Sequence, residues 1–433
     1  MLLLLWAAVL VVGFVPIGYL LFNAYYSGRR ARHSSRVVVP ADQITIVVPV
    51  HAQRPEAFRA SIESIALQGC PFVVVGDGSL EPYRTMTEGR GGEFVYQPEQ
   101  AGKKAALRAG MARVATPYVL FVDSDTVLPR DGAVRMASHF APGVGGVGAN
   151  LSVRDTGRAV ASASEFVERA REVVLRAMSS RGSVAYLDGA GAMYRTELIR
   201  EYVSSAEFQD LSVLGRPSHL GDDWLLTDFV LRAGYLTVKA YDVHVVTAPA
   251  ETFRAFARKN VRWARSNWIR LGSYFRRGFP RAAGRFYALE MTATYLIPLI
   301  ALATLVTRVP LVAHSLERSA SDAGSILLVL VRAIIPIPRL SWTGLTRLGS
   351  FILGTIATGA FVGATVRANP HPRVRLLAYG AVATLILFAT SIYGLCTFWV
   401  EPKWGPRRGS SVPTASWRTA DVGSSGGGGT LAR

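Results

Sequence analysis

Between residues 37 and 250, apolar runs of strand length alternate with stretches whose apolar positions recur at helical spacing. ITIVVPV (44–50) is a continuous β-branched run and predicts a strand buried on both faces. EAFRASIESIALQG (56–69) has the helical period and stops at Gly69. FVVVGDGS (72–79) and GGEFVYQP (91–98) read as further strands, GKKAALRAGMARVA (102–115) as a helix, and YVLFV (118–122) as a fourth strand. Strand and helix alternating at this interval predict an α/β fold, a mostly parallel sheet with helices on both faces. Ligands of such folds bind at the carboxyl ends of the strands. Asp77, Asp123 and Asp125 stand at those ends.

Longer apolar runs flank this region. Residues 2–22 carry no charge and are long enough to cross about 30 Å of hydrocarbon as a helix. Tyr25 and Tyr26 follow as an aromatic belt, then Arg29, Arg30, Arg32 and Arg36, which by the positive-inside rule place the chain beyond them in the cytoplasm. A cleaved signal has its basic residues before the apolar run, the reverse of this order. Toward the other end, 287–307, 346–366 and 376–400 can span. The run at 324–338 is shorter and contains Arg332. Between the α/β region and the later spans, 251–279 mixes basic and aromatic residues and predicts amphipathic helices at the membrane interface. The expected organisation is therefore an N-terminal span with basic flank (1–36), an α/β domain (37–250), interfacial helices (251–284), an α-helical transmembrane bundle (285–402) and a Ser/Gly-rich, mostly disordered cytosolic tail (403–433).

The formal charge of +18 suits an anionic membrane face or a phosphorylated ligand. The arginines are dispersed and several adjoin apolar runs, which argues against a nucleic-acid partner. Cys70 and Cys396, two and far apart, build no disulfide framework.

The candidate chemistry lies where apolar runs end. Asp123 and Asp125, one residue apart after a strand, offer the hard oxygens that suit Mg²⁺ or Mn²⁺ and, through it, a nucleotide diphosphate. The same spacing also serves a pair of capping aspartates, so only context gives it weight. Asp77 can accept hydrogen bonds from a base or ribose, or simply shape an Asp-Gly turn. Gly102 and Lys103 open a helix whose amides suit a phosphate. GAGAMYR (189–195) allows a sugar to approach the backbone closely, or forms a buried turn. Asp222 and Asp223 start another helix, where a carboxylate can act as general base or complement the helix dipole. Arg262 can grip a diphosphate and Trp263 can stack on a sugar, although both residue types also anchor helices at interfaces.

Taken in this order, the motifs resemble those of the membrane-embedded processive family 2 glycosyltransferases, most closely the hyaluronan synthase family, from about Ile44 to Arg408. The resemblance implies a GT-A fold and inverting transfer from UDP-sugars, UDP-GlcNAc and UDP-GlcA, to a growing polysaccharide that is passed outward through the plasma membrane. It assigns Asp77 and Lys103 to the nucleotide, Asp123 and Asp125 to the metal, and Asp223 to the general base with Asp222 orienting. Arg262 would hold the diphosphate. Gly191, Met193, Tyr194, Arg195, Trp224 and Trp263 would hold the acceptor. Trp224 and Lys259 depart from the family's Arg and Gln at those positions. The ending Lys403-Trp404-Gly405-Pro406-Arg407-Arg408 resembles the family's W-G-T-R stretch, inside the cell. That requires an even number of C-terminal spans and five in all, with Arg367, Arg373 and Arg375 on the outer side, against the positive-inside rule. A single-addition transferase acting on a lipid carrier, and a non-catalytic scaffold of the same fold, are the competing readings.

Overall fold

In the computed structural model, which describes residues 2–29, 31, 36–318, 342–367, 369 and 371–400, β1 (Ile44–Val50) is buried at every position. Its side chains divide by the two-residue period of a strand. Ile44, Ile46, Val48 and Val50 join Phe58, Ile62 and Ile65 of α2 (Pro55–Ala66) on one face. Val47 joins the opposite cluster, with Leu107 and Met111. Burying each such apolar side chain contributes about 1.5–3 kcal/mol, and the one polar residue of the strand, Thr45, is buried with its hydroxyl 2.8 Å from that of Thr116.

Parallel crossovers build the first half of the sheet. Helix α1 (Leu2–Ser27) precedes it. After α2 come β2 (Phe72–Asp77), α3 (Tyr83–Glu88), β3 (Glu93–Gln97), α4 (Lys103–Met111) and β4 (Tyr118–Phe121). The second half adds α5 (Gly132–Ala137), β5 (Val144–Val153), α6 (Ala159–Arg181), β6 (Ala192–Arg195), α7 (Thr196–Ser204) and α8 (Ala206–Gln209). A short hairpin of β7 (Ser212–Val213) and β8 (Arg216–Pro217), then α9 (Asp222–Arg232) and β9 (Leu236–Thr247), complete it. The sheet order is β3-β2-β1-β4-β6-β5-β9. All neighbours are parallel except β6, which runs antiparallel to both β4 and β5. Strand order reverses between β1 and β4, the switch point at which open α/β sheets leave a crevice.

The apolar helices are seated directly on this domain. They follow α10 (Phe253–Arg277): α11 (Gly284–Arg318), α12 (Trp342–Arg367) and α13 (Arg373–Leu395). Among the described residues, Arg281–Thr304, Leu348–Arg367 and Arg373–Leu395 are long and apolar enough to cross a membrane. α1 forms over the run expected to span, and packs on α12, α11 and α6. The 324–338 run and the tail from residue 401 lie outside the described residues.

Contacts between the α/β domain and the apolar helices extend beyond 251–284. α6, inside the α/β domain, packs along α1, α12 and α13, with Val160, Ala163 and Val167 against Phe256 and Ala383. Its apolar stripe resembles that of any core helix, so the sequence does not say what covers it. The turn between α12 and α13 rests on the α/β domain. His371 Nε2 lies 2.8 Å from the Val153 carbonyl and Arg375 donates to the Gly157 carbonyl. The amino end of α13 is therefore held against the α/β domain. The far end of α13 also touches that domain's flank. Trp268 donates to the Ser391 carbonyl at 3.1 Å, and Arg265 to Thr397 Oγ1 at 3.1 Å.

Candidate active site

Three chain segments converge at the switch point. Lys103, the first residue of α4, places its ammonium 2.8 Å from Asp123 Oδ1, 2.8 Å from Asp222 Oδ2 and 4.0 Å from Asp223 Oδ1. Two carboxylates from the start of α9 and one from the exit of β4 thus share one cation. Gly221 makes the turn possible. Its φ of 92° is left-handed backbone, which lets the chain enter α9 with both aspartates in the first turn.

The electrostatics separates the two adjacent acids. Burial alone pulls the Lys103 ammonium down, but Asp123, Asp222 and Asp223 outweigh it and hold it well above its usual range. For Asp222, burial raises the carboxyl, but Lys103 and Lys104 overcome this and hold it below its usual range. Asp223 goes the other way. Burial and the Asp222 charge push its carboxyl well above the carboxylate range, with Lys103 opposing. Two carboxylates side by side cannot both ionise freely, so one carries the charge and the other becomes the stronger proton acceptor. Lys104 turns away, toward the Ser218 carbonyl, and burial lowers it to about 8.

Asp123 and Asp125 are both half-buried at the β4 exit. Asp125's charge acts on Arg154 and on Lys259 of α10. Trp263, one turn beyond Lys259, has the Lys259 ammonium 4.3 Å and the Arg171 guanidinium 4.8 Å from its ring centre. Arg262 is exposed on α10, and no hydrogen bond or ion pair joins it to the Lys103 cluster.

The other expected site residues have partners within the fold. Asp77 has no exposed surface, and its two oxygens accept the Ala101 and Gly102 amides at 2.7 and 2.9 Å. It anchors the start of α4, and so the position of Lys103, rather than offering an open acceptor to a base. Met193 and Tyr194 are fully buried, paired with Leu120 and Val119. Because β6 is antiparallel to β4, Arg195 pairs with Tyr118, at the amino end of β4 and away from Asp123. There it donates to the Val144 carbonyl at 2.8 Å. Gly191 serves strand packing: a Cβ would stand 3.0 Å from Ala149 Cβ. Trp224 is 7% exposed, with its indole N–H donated to Ser266 Oγ at 3.1 Å, so it joins α9 to α10 and offers no stacking face.

Gly189 opens the GAGAMYR stretch, and Asp188, just before it, is a residue that the sequence motifs did not single out. A Cβ on Gly189 would lie 2.6 Å from Asp223 Oδ1 and 2.6 Å from Lys103 Nζ. Asp188 receives Arg171 Nη2 at 2.7 Å and lies 3.4 Å from Lys239 Nζ. The detectable signal was α6 itself, where Glu165, Glu168, Arg169, Arg171 and Glu172 crowd an otherwise apolar helix. Charges in such a setting are paired.

A parallel-biased sheet with a helix on either face, and acids gathered at its switch point, is the GT-A glycosyltransferase architecture. Comparison adds that residues 93–266 match the family model described as glycosyltransferase like family 2. It is 30% identical over 240 residues to an N-acetylglucosaminyltransferase of Azorhizobium caulinodans, covering 52% of this chain and 60% of that protein. A second N-acetylglucosaminyltransferase, from Rhizobium meliloti, is 30% identical over 53% of this chain and 56% of its own. The match to the Bradyrhizobium diazoefficiens N-acetylglucosaminyltransferase is longer, 26% identical over 88% of this chain and 74% of that protein. The chain thus aligns with less than two thirds of the first two relatives. Among solved structures, a mannosyltransferase from Pyrobaculum calidifontis, in complex with GDP-Man and Mn²⁺, superposes with a TM-score of 0.54. It covers 82% of this chain and 96% of its own at 17% identity, a likeness of fold alone.

Proposed function

We propose that the protein is a membrane-embedded inverting glycosyltransferase that moves N-acetylglucosamine from UDP-GlcNAc to the hydroxyl of a growing glycan. The donor sugar is suggested by the relatives, which are named N-acetylglucosaminyltransferases. The observation that carries the reading is the Lys103 centre, where three carboxylates from two elements are held on one ammonium. Lys103 keeps Asp222 charged, and the two together leave Asp223 as the proton acceptor for the attacking hydroxyl. Loss of that proton lets the oxygen attack the anomeric carbon in line while UDP departs on the opposite face. Lys103 and the exposed guanidinium of Arg262 would stabilise negative charge on the departing diphosphate.

The donor set fits a divalent cation. Asp123 and Asp125 are half-buried and present only carboxylate oxygens, the hard ligands that Mg²⁺ or Mn²⁺ requires. Asp123 also shares its charge with Lys103. When bound, such an ion would offset charge on the leaving diphosphate.

The seating of α11, α12 and α13 on the catalytic domain favours a polymer product passed across the plasma membrane from a cytoplasmic active site. A polar chain cannot cross hydrocarbon unaided, because its hydroxyls would lose water. Purified protein in detergent should be given radiolabelled UDP-GlcNAc and UDP-GlcA, singly and together, with and without Mn²⁺, and its products sized. Incorporation from UDP-GlcNAc alone into a ladder supports this reading. Incorporation only with both donors restores the hyaluronan synthase reading, and a single added sugar supports the lipid-carrier alternative. No UDP release with any donor would leave only the scaffold reading.

A further inference from the structure

We propose that Arg171 is a positioning residue that sets the Trp263 indole and the Gly189 loop as one unit, so that acceptor platform and proton acceptor keep a fixed relation. The inference rests on the acceptor role given to Trp263 by the reading above. Arg171 belongs to α6, outside every motif of the active site, yet each of its guanidinium nitrogens has a partner. Nε donates to Tyr186 Oη at 2.8 Å, Nη1 to Glu168 Oε2 at 2.7 Å and Nη2 to Asp188 Oδ1 at 2.7 Å. These three bonds fix the plane of the group. Its face then lies 4.8 Å from the ring centres of both Tyr186 and Trp263.

The partners are themselves held. Glu168 is 5% exposed and Asp188 13%. Asp188 also pairs with Lys239 at 3.4 Å, and Lys239 with Glu172 at 3.3 Å. One peptide bond beyond Asp188 is Gly189, whose Cα faces Asp223 Oδ1 and Lys103 Nζ. Arg171 thus meets the Trp263 ring on one side and, on the other, holds Asp188, the residue before the glycine that packs beside Asp223 and Lys103. A lysine in place of Arg171 keeps the charge but cannot reach three divergent acceptors while presenting a planar face.

A double-mutant cycle tests this, with Arg171→Gln and Trp263→Phe, alone and combined. The probe is N-acetylglucosamine transfer from UDP-GlcNAc to chitotetraose, with sugar lost to water measured in parallel. Each single change should lower kcat/KM for the tetrasaccharide about tenfold, and the double variant should be no worse than the poorer single, a coupling of about tenfold. The loss should sit in the acceptor KM and in a lower ratio of transfer to hydrolysis, not in the KM for UDP-GlcNAc. Arg171→Lys should recover less than half of the lost transfer. Additive losses, or a donor KM rising in step with the acceptor KM, overturn the proposal. If Arg171→Gln does not fold, Glu168→Gln, which removes one anchor of the same guanidinium, replaces it in the cycle with the same criteria. Wild-type protein that releases no UDP would sink the enzymatic reading itself. An active wild type with an additive cycle would sink only the role of Arg171.

Discussion

Gly189→Ala is the most discriminating perturbation of the proposed centre. The new Cβ would be placed 2.6 Å from both Asp223 Oδ1 and Lys103 Nζ, while ordinary contact begins at 3.4 Å. Each side chain must therefore retreat by about 3.4 − 2.6 = 0.8 Å. Both atoms are the ends of side chains, so the backbone keeps its path and the fold survives. The displaced groups are the proposed base and the cation that organises it. A misplacement of about 1 Å at reacting groups costs about 10²-fold in rate, or about 2.7 kcal/mol of barrier. The expected result is a kcat about a hundredfold lower with a thermal midpoint within about 2 °C of wild type. Steady-state GlcNAc transfer and a thermal melt in the same detergent read both quantities. A variant that folds normally and turns over within about threefold of wild type would refute the placement of the chemistry at Asp223 and Lys103.

The other predictions use the same geometry. Asp223 accepts a proton only when ionised, and burial with the Asp222 charge raises its pKa. The rise of kcat/KM with pH should therefore begin above the ordinary carboxylate range, and Asp222→Asn should move it to lower pH, as a pH–rate profile would show. Asp223→Asn should abolish transfer while UDP still binds, measurable by calorimetry; transfer at the normal rate would remove Asp223 as the base. Gly272, exposed within α10 and with open space at its Cβ position, should accept alanine with a gain of about 0.5–1 kcal/mol in stability and no change in rate, measured by denaturant melts. Arg373→Cys in a Cys396→Ser background should react with a membrane-impermeant maleimide from the side that exposes the catalytic domain, because the preceding turn rests on that domain. Labelling from the opposite face would contradict that seating.

Much of the fold was legible in the sequence because local pattern reports local burial. β1 and β2 lie at or within the runs that predicted them, since both faces of each strand are covered and nearly every residue before the closing Asp77 of β2 is apolar. The acids at 123, 125, 222 and 223 were legible as well, since each interrupts an apolar run at the point where a strand ends or a helix begins. Periodicity has no term for direction, however. MYR at 193–195 reads the same whether its strand runs with β4 or against it, and the antiparallel choice is what carries Arg195 to the far end of the sheet.

What the sequence determined by itself was which segments are strands, which helices are apolar, and which charged residues stand at their ends. Only the tertiary structure decided how those ends meet. It closed Asp77 onto two amides, put Lys103 among three carboxylates, buried Trp224 between two helices and laid the turn before α13 on the catalytic domain. The reason is physical: hydrophobic burial is non-directional and written residue by residue, whereas a hydrogen bond or ion pair needs a particular partner at a particular distance. That partner is commonly dozens of residues away, in a place that only the packed chain defines.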